Sequence, residues 1–551
     1  MGLRTPRDGR SSARRLAVRL IDLTLILALG GFCLIFVVWP IASFLWQGVG
    51  PGVRVAWEAL RDNAGLLANS AFVGVLASLL SCVLALGVAM VMTFGPRAWA
   101  RVLGGLVTVS LISPPFVASL AYIELFGRRG LVTHGLLGLS VSPYGWQGVV
   151  LMQSLFFAAI NVALLTSVLK RVDRAAVLAA LDLGAGNGRV VLDVVVPLVR
   201  PATLVCLLLT FVRSVSDYAT PVVVGGKFET VATQIYLRVV GYSDFGTAAV
   251  LNVLLFVVSA LAFVAYRRFE ARGGAQSLSL GEGVRTAEDE AGLRLRGPLG
   301  IGCQVVGLLY AGFLALIYAA IVRSAFTKGM GWDAAFTTEY LSHLLEFDLA
   351  SVGRSMAYAA CAAALSCILG LLAAYYAHRR RVRGSAVVDF LTTVPYTLPG
   401  ICLGLGFILA FNAKPLELVG TATIIVVVLV SKELAVSTRA FTAALSQIPD
   451  DLDHAAADLG ASAPETLATV LLPNLRDAAG VSLVNGFSSG MVSYSAVLFL
   501  VTPGHKTAVL ELFDALSGGK YGEAAMVSLT IIAITSVVNL LFYRLLLRRG
   551  R

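Results

Sequence analysis

Long uncharged apolar stretches alternate with short polar segments along the whole chain. Residues 23–53, 63–96 and 102–123, for example, contain no charged side chain. About 20 apolar residues suffice to cross the hydrocarbon core of a bilayer. Backbone within lipid must satisfy its own hydrogen bonds, so such stretches favour helices. The pattern predicts about 12 transmembrane helices, in windows 20–46, 68–94, 102–123, 147–169, 201–223, 246–266, 298–322, 354–377, 388–411, 419–440, 477–501 and 524–543.

Composition supports a membrane location for most of the chain. Hydrophobic residues make up 58% of the 551 residues, and charged residues only 14%. A soluble domain carries roughly 25% charged residues. The first window follows Arg14, Arg15 and Arg19, but it is too long for a signal peptide, so we expect a retained helix. The predicted fold class is an all-α integral membrane protein.

One long polar stretch divides the twelve windows into two sets of six. An even number of helices per half leaves both halves in the same orientation, which predicts a parallel rather than an inverted repeat. Basic clusters at Arg267-Arg268 and Arg379-Arg380-Arg381 indicate cytoplasmic loops, and place both termini in the cytoplasm. The net charge of +11 thus reflects basic residues in the cytoplasmic loops, and no nucleic-acid partner is expected. We predict a basic cytoplasmic N-terminus at 1–19, a first domain at 20–266, a cytoplasmic linker at 267–297 and a second domain at 298–546.

A polar segment occurs twice, with a constant offset of 276 residues. The first copy, in the predicted loop 170–200, contains Ala179-Ala180, Gly184-Ala185 and Pro197. The second copy, in the predicted loop 441–476, contains Ala455-Ala456, Gly460-Ala461 and Pro473. Glycine can end a helix in the left-handed conformation, and proline favours a new helical start. Each copy therefore predicts a compact helix–turn–helix. One copy alone could be an ordinary amphipathic connector, but two in register favour a duplicated docking surface.

The spacing resembles the coupling loop of the membrane subunits of bacterial ABC importers, which reads E-A-A, three residues, G, nine residues, I-x-L-P. Leu178 and His454 replace the glutamate in the two copies here. The resemblance implies two fused six-helix permease domains of the type I ABC importer kind. The residues that it assigns to ATPase coupling are Ala179, Ala180, Gly184, Ala185, Pro197, His454, Ala455, Ala456, Gly460, Ala461 and Pro473.

The same resemblance implies a transport subunit with no catalytic residues and no cofactor of its own. ATP and Mg would bind to two copies of a cytoplasmic ABC ATPase, and an extracytoplasmic solute-binding protein would deliver the cargo. In agreement, the sequence lacks a G-x-x-x-x-G-K-[ST] phosphate loop, since Gly226-Lys227 is followed by Phe228. The implied location is the bacterial inner membrane, with lipid around a multi-pass chain.

Three short stretches bear on the cargo. Residues 216–221, 230–236 and 493–503 resemble the fused ferric-iron permeases, a branch that also contains permeases for 2-aminoethylphosphonate and phosphorylated sugars. Ferric iron is therefore the favoured cargo, with a phosphonate or another phosphorylated small anion as the alternative. A different class, an ATP-independent secondary transporter, would predict inverted repeats and a charge relay at the membrane midplane.

Polar residues inside membrane helices are the best pointers to a translocation path. Arg213 and Asp217 lie four residues apart, which predicts one helical face. Lys432 and Glu433 have no charged counterparts in the first half. Each pair could instead be mutually neutralised and structural, or Lys432 could extend to the inner surface. The candidate path residues are Arg213, Asp217, Tyr218, Lys432, Glu433 and Tyr494.

Other polar and small residues predict structure rather than chemistry. The five histidines are scattered, and the seven cysteines fall within apolar windows, so we expect packing cysteines and no metal site. Glu124 sits near the outer end of the third window, where a solvated rim is expected. Pro114-Pro115 and Pro399-Gly400 are candidate helix breaks, and Gly400 with Gly404 favours close helix packing.

Overall fold

The computed structural model describes residues 7–50, 52–139, 142–170, 172, 174–269, 297–329, 334–382, 384–542 and 544. Parts of the predicted N-terminal segment, most of the predicted linker and the last residues of the second domain lie outside these ranges. The described chain is almost entirely helical, which confirms the predicted all-α membrane fold.

The first half contains thirteen of the described α-helices. They are α1 (Arg7–Cys33), α2 (Trp39–Val49), α3 (Val53–Asp62), α4 (Ala64–Phe94), α5 (Arg97–Ile112), α6 (Phe116–Phe126), α7 (Trp146–Leu169), α8 (Arg174–Asp182), α9 (Asn187–Val190), α10 (Val196–Ser216), α11 (Ala219–Val224), α12 (Val231–Tyr236) and α13 (Phe245–Phe269). Single π-helical turns lie at Leu34–Val38, Leu131–Leu136, Val191–Val195 and Leu237–Gly241.

The second half contains twelve described α-helices and one small β-hairpin. The helices are α14 (Gly297–Phe326), α15 (Glu339–His343), α16 (Leu349–Ala374), α17 (Ser385–Thr397), α18 (Gly400–Phe411), α19 (Ala422–Leu445), α20 (Asp451–Asp458), α21 (Ala463–Thr466), α22 (Leu472–Asn474), α23 (Arg476–Val492), α24 (Ala508–Ser517) and α25 (Tyr521–Phe542). Strand β1 (Thr327–Lys328) pairs antiparallel with β2 (Ala335–Phe336). π-Helical turns lie at Leu344–Asp348, Tyr375–Arg379 and Leu467–Leu471, and a 3₁₀ turn at Pro503–His505.

Within the described residues, eight helices are long and apolar enough to cross a membrane, and three bent helix pairs raise the number to eleven. The tenth predicted window corresponds to α19, whose 24 residues are also long enough but include Lys432, Glu433 and Arg439. The third and ninth windows are bent, by 109° between α5 and α6 and by 111° between α17 and α18. The breaks fall at Pro114-Pro115 and Pro399, as predicted, because proline cannot donate the hydrogen bond that would continue the helix.

The two halves repeat one packing scheme. Helix α4 packs against α7 and α10, and α16 packs in the same way against α19 and α23. The starts and ends of α7 and α19 are 276 residues apart, and the starts of α13 and α25 have the same offset. The sequence repeat is therefore a structural repeat.

The leading helix of each half also packs against the other half. Helix α2 contacts α13 of its own half and α18 of the second half, whereas α14 contacts α25 of its own half and α4 and α6 of the first. A side chain at Gly406 would place its Cβ 2.7 Å from the carbonyl oxygen of Pro40, so the α2–α18 approach requires glycine. The crossed leading helices hold the two halves together.

Candidate functional site

The two repeated loops have the same backbone conformation. Helix α8 is followed by Gly184 with φ +83°, and α20 is followed by Gly460 with φ +85°. Non-glycine residues rarely adopt this left-handed region. A four-residue helix and a π-helical turn follow in both copies, and then Pro197 and Pro473 lie in the first turn of α10 and α22. The structure thus contains the predicted helix–turn–helix twice.

The outermost residues of the two loops are leucines that immediately precede these glycines. Leu183 is 88% exposed and Leu459 is 90% exposed. A Cβ added at Gly184 or Gly460 would meet nothing within 4 Å, so both tips extend into open space. Single exposed leucines are common on protein surfaces, but these two occupy equivalent positions at the tips of a duplicated loop. Neither leucine is among the candidate residues predicted from the sequence, although the two are separated by the repeat offset of 276 residues.

The structure divides the predicted coupling residues into two groups. Those that are buried or half-buried beneath the loops are Ala180, Ala185, Ala456 and Ala461. Those that are exposed are Ala179, Gly184, Pro197, His454, Ala455, Gly460 and Pro473. The four buried or half-buried alanines therefore determine how closely each loop packs against the rest of the chain. The exposed residues form the outer surface of the loop.

The second loop is anchored by a buried arginine. The side chain of Arg379 is only 6% exposed, and it contacts Asp450 at 2.8 Å and Asp453 at 2.5 Å. It also donates hydrogen bonds to the carbonyl oxygens of Ile448 and Pro449. The counterpart of Asp453 in the first loop is Val177, which is buried among apolar side chains. The two loops share a shape but not an anchor.

Asp217 lies at a helix break rather than on the face predicted for it. Helix α10 ends at Ser216, and the oxygen Oδ1 of Asp217 accepts hydrogen bonds from the backbone N–H groups of Ala219 (3.0 Å) and Thr220 (3.2 Å). Oδ2 accepts a hydrogen bond from Gln153 Nε2 at 2.9 Å. The prediction that Arg213 and Asp217 share one helical face is wrong, because the chain leaves the helix at Asp217 to begin α11.

Lys432 and Glu433 have separate partners. Lys432 Nζ donates to Ser493 Oγ at 2.9 Å. Glu433 accepts hydrogen bonds from Asn485 Nδ2 at 3.0 Å and from Ser489 Oγ. No ion pair joins the two neighbours in the described structure, so they do not neutralise each other by direct contact. Ser493 is the counterpart of Asp217 at the offset of 276, and thus Lys432 reaches the equivalent break in the second half.

Arg213 is the remaining cation of this region. It lies near the end of α10, five residues before Tyr218, and it is exposed. Within the described ranges its guanidinium forms no hydrogen bond and no ion pair.

Two equivalent tyrosines meet where the halves join. The rings of Tyr218 and Tyr494 stack with centroids 5.4 Å apart and planes at 27°. Phe116 and Phe513 pack against Tyr494 at 4.5 and 4.8 Å between centroids, and Tyr236 stacks on Tyr218. Both tyrosines are buried, and their hydroxyl groups have no hydrogen-bond partner among the described residues. Of the predicted path residues, Tyr218 and Tyr494 thus meet at the junction between the halves, and Lys432 contacts Ser493, the neighbour of Tyr494.

Glu124 is not on a solvated rim, contrary to the expectation. It is buried, and its Oε1 contacts Arg323 of α14 at 2.5 Å. Helix α14 crosses onto the first half and brings the guanidinium of Arg323 to the carboxylate of Glu124. The residues next to Glu124 in the sequence do not indicate this contact. All seven cysteines are free, and no group of three or more potential ligands among the described His, Cys, Asp and Glu residues could hold a metal ion.

Comparisons with known proteins agree with the duplicated architecture. Residues 81–273 and 366–548 each match the family described as binding-protein-dependent transport system inner membrane component. The chain is 29% identical to the ferric transport system permease protein FbpB of Actinobacillus pleuropneumoniae, over 92% of this chain and 76% of that protein. It is 31% identical to the putative ferric transport system permease protein FbpB 1 of Haemophilus influenzae, over 79% of this chain and 70% of that protein. A putative 2-aminoethylphosphonate transport system permease protein, PhnU of Salmonella choleraesuis, is 26% identical over 43% of this chain and 89% of its own length.

Proposed function

Because the chain belongs to the family of inner-membrane components of binding-protein-dependent transport systems, we propose that it is the permease subunit of an ABC importer in the bacterial inner membrane. The observation that carries the proposal is the pair of helix–turn–helix loops with exposed Leu183 and Leu459 at equivalent positions. Two such loops on one chain match two copies of a cytoplasmic ATPase subunit. Both termini would then lie in the cytoplasm with the loops.

The proposed mechanism converts movement of the loops into movement of the halves. ATP and Mg bind to the partner ATPase, and this chain forms no covalent intermediate. Each loop leads directly into a helix, α10 or α22–α23, that ends beside the stacked tyrosines. When the ATPase subunits approach each other, the loops move with them and the two halves rotate. Rotation separates Tyr218 from Tyr494 and opens the junction to solute from an extracytoplasmic binding protein.

Ferric iron is the proposed cargo. Support comes from the two FbpB relatives, whose names describe ferric transport and which align with both halves of the chain. The second candidate is 2-aminoethylphosphonate or another phosphorylated small anion. The observation that favours it is the cation Lys432, whose Nζ donates to Ser493 directly beside the Tyr218–Tyr494 pair. An ATP-independent secondary transporter is not favoured, because the repeat is parallel and carries two docking loops.

The test is uptake of labelled ferric iron by cells that carry the permease with its ATPase and binding protein. Excess 2-aminoethylphosphonate serves as the competitor. Gly460→Val strains a left-handed backbone position, and should abolish uptake while the protein stays in the membrane. Gly188→Val is the matched control, because Gly188 is helical and a Cβ there also meets nothing within 4 Å. Normal uptake by both Gly184→Val and Gly460→Val would refute the coupling role of the loops.

A further inference from the structure

Two equivalent segments lie at the end of the molecule opposite the coupling loops. Helix α10 leads about 30 Å away from the first loop, and α13 and α25 lead back from residues 237–244 and 513–520, called here the outer segments. Gly519 adopts the left-handed conformation, with φ +75°, and its counterpart Ser243 does so as well, with φ +52°. The two outer segments therefore end in turns of the same hand, although only one of them has glycine at this position.

The outer segment of the first half displays exposed apolar side chains beside a cation. Tyr242 is 72% exposed, and Val240 is 53% exposed. The guanidinium carbon of Arg238 lies 5.8 Å from the centroid of the Tyr242 ring. At the equivalent positions the second half has Gly518 and buried Leu516. Tyrosine and arginine are enriched among the residues that carry the binding energy of protein interfaces, so the two segments differ as docking surfaces.

Arg238 keeps hydrogen-bond donors that its own half does not use. Its Nη1 lies 3.6 Å from Asp244 Oδ2, which is too far for a hydrogen bond. In the part of the chain that the structure describes, the guanidinium donates to no other acceptor. Asp244 instead accepts a hydrogen bond from the backbone N–H of Thr247 at 3.0 Å, at the start of α13. The side chain of Arg238 is 41% exposed and can thus donate to a partner that covers the segment.

The outer segment of the second half carries the opposite charge. Asp514 occupies the position of Arg238, at the offset of 276, and its side chain is 55% exposed. It shares Lys506 with Glu511, at distances of 2.7 and 2.9 Å. One ammonium serves two carboxylates, so one negative charge remains on this surface.

Both charges lie beside the junction of the halves. Phe513 precedes Asp514, and Tyr236 lies two residues before Arg238. The rings of Tyr236 and Phe513 meet across the halves, with centroids 5.9 Å apart, and Phe513 also packs on Tyr494. The aromatic rings that close the junction are therefore flanked by a cation of one half and an anion of the other. A partner that delivers a solute to this junction must cover both charges.

Identical outer segments would accept such a partner in two orientations, because the parallel repeat relates the halves by rotation. Opposite charges at equivalent positions favour one orientation and disfavour the other. We propose that Arg238, Val240 and Tyr242 anchor the extracytoplasmic solute-binding protein through an acidic group beside an apolar patch, and that Asp514 and Glu511 receive a basic group on its other side. The inference rests on the proposed transport function, and it specifies where and in which orientation the binding protein docks.

Binding of the solute-binding protein to the permease–ATPase complex in lipid nanodiscs tests this surface. Surface plasmon resonance measures the dissociation constant with the binding protein loaded with ferric iron and, in a second series, with 2-aminoethylphosphonate. Tyr242→Ala and Arg238→Gln should each raise it about tenfold, the scale for loss of an interface anchor. Asp514→Asn should raise it about threefold and reduce its salt dependence, as expected for a charge at the rim of an interface. Trp57→Ala and Arg54→Gln are the matched controls, since both residues are exposed on α3, between α2 and α4.

Photo-crosslinking tests the orientation. p-Benzoylphenylalanine at position 242 and at position 520 should link to opposite sides of the binding protein, which peptide mapping by mass spectrometry identifies. Lys520 is 60% exposed, so the label there reaches the partner. Exchange of the charges, with Arg238→Asp and Asp514→Arg in one chain, should abolish the preference, so that each position links to both sides.

Two results would overturn the surface. One is that Tyr242→Ala, Arg238→Gln and Asp514→Asn all bind as tightly as the wild type. The other is that each label links to both sides before the charges are exchanged. Normal binding by Tyr242→Ala with a lower unfolding temperature in nanodiscs would assign Tyr242 to the membrane–water interface instead, where tyrosine is also enriched.

Solute uptake by cells separates this surface from the proposed function. Normal uptake and normal docking by all three variants contradicts the surface, but leaves the proposed function intact. Gly460→Val should lose uptake and keep docking, so failure of the coupling role is seen separately. A wild-type complex that neither docks the binding protein nor takes up solute refutes both.

Discussion

The two coupling loops are alike in shape and different in how they are held. Both place a leucine at the tip, a left-handed glycine after it and a proline at the start of the next helix. The second loop is tied down by Arg379, whereas the first has buried Val177 at the position of Asp453. The helix after the first loop is one uninterrupted span from Asn187 to Ser216, but the equivalent segment of the second half bends by 73° before Arg476.

The residues that determine the loop backbone thus differ from the residues that anchor each loop. Glycine and proline determine the backbone of the loop, and the same residues occur in both copies. The anchors come from neighbouring helices, and those have diverged. Arg380, next to Arg379, contacts Asp22 of α1 at 2.8 Å, so the anchor of the second loop lies beside a helix of the first half. We therefore expect equal docking by the two loops but unequal local stability.

The largest expected effect is on docking. Leu183→Asp and Leu459→Asp should each weaken ATPase binding, because burial of a leucine contributes about 1.5–3 kcal/mol. The double variant should lose the ATPase subunits on purification in detergent. Co-purification and surface plasmon resonance measure the loss. Leu136→Asp, in an exposed turn between α6 and α7, is the control and should bind normally. A loss confined to one single variant would show that the loops do not dock equally.

A smaller effect is expected on the local stability of the second loop, because Arg379 anchors that loop and not the first. Arg379→Gln removes the ion pairs of the second loop, and should destabilise α20 by about 2 kcal/mol, the scale of hydrogen bonds to charged groups. Hydrogen exchange measured by mass spectrometry should become faster in α20 and stay unchanged in α8. Arg476→Gln, at an exposed residue, provides the comparison. Equal acceleration in α8 and α20 would mean that Arg379 stabilises the whole bundle instead.

The smallest effect should come from the glycines themselves. Gly184→Ala and Gly460→Ala should each destabilise the chain by roughly 1–2 kcal/mol, the cost of a left-handed conformation for a non-glycine residue. Gly188→Ala should instead stabilise it slightly, since alanine favours a helix over glycine. Thermal unfolding of the three variants measures these differences. A drop for Gly188→Ala equal to that of Gly184→Ala would rule out backbone conformation as the cause.

Much of the architecture follows from local sequence. Apolar length predicts the spans because lipid demands internally hydrogen-bonded helices. Pro114-Pro115 and Pro399 predict the two bends of about 110° because proline interrupts the hydrogen bonding of a helix. The offset of 276 predicts equivalent loops because the same residues impose the same backbone. Asp217 was misplaced because spacing along the chain assumes that the helix continues, and here the carboxylate caps a new helix.

The sequence by itself determined the helices, the duplication and the two loop shapes, since each depends on residues close together in the chain. Only the tertiary structure decided which distant groups meet. The crossing of the leading helices pairs Glu124 with Arg323, and the junction of the halves stacks Tyr218 on Tyr494. The fold also brings Lys432 to Ser493, while its acidic neighbour Glu433 accepts a hydrogen bond from Asn485. These contacts depend on how whole helices pack, which no local pattern specifies.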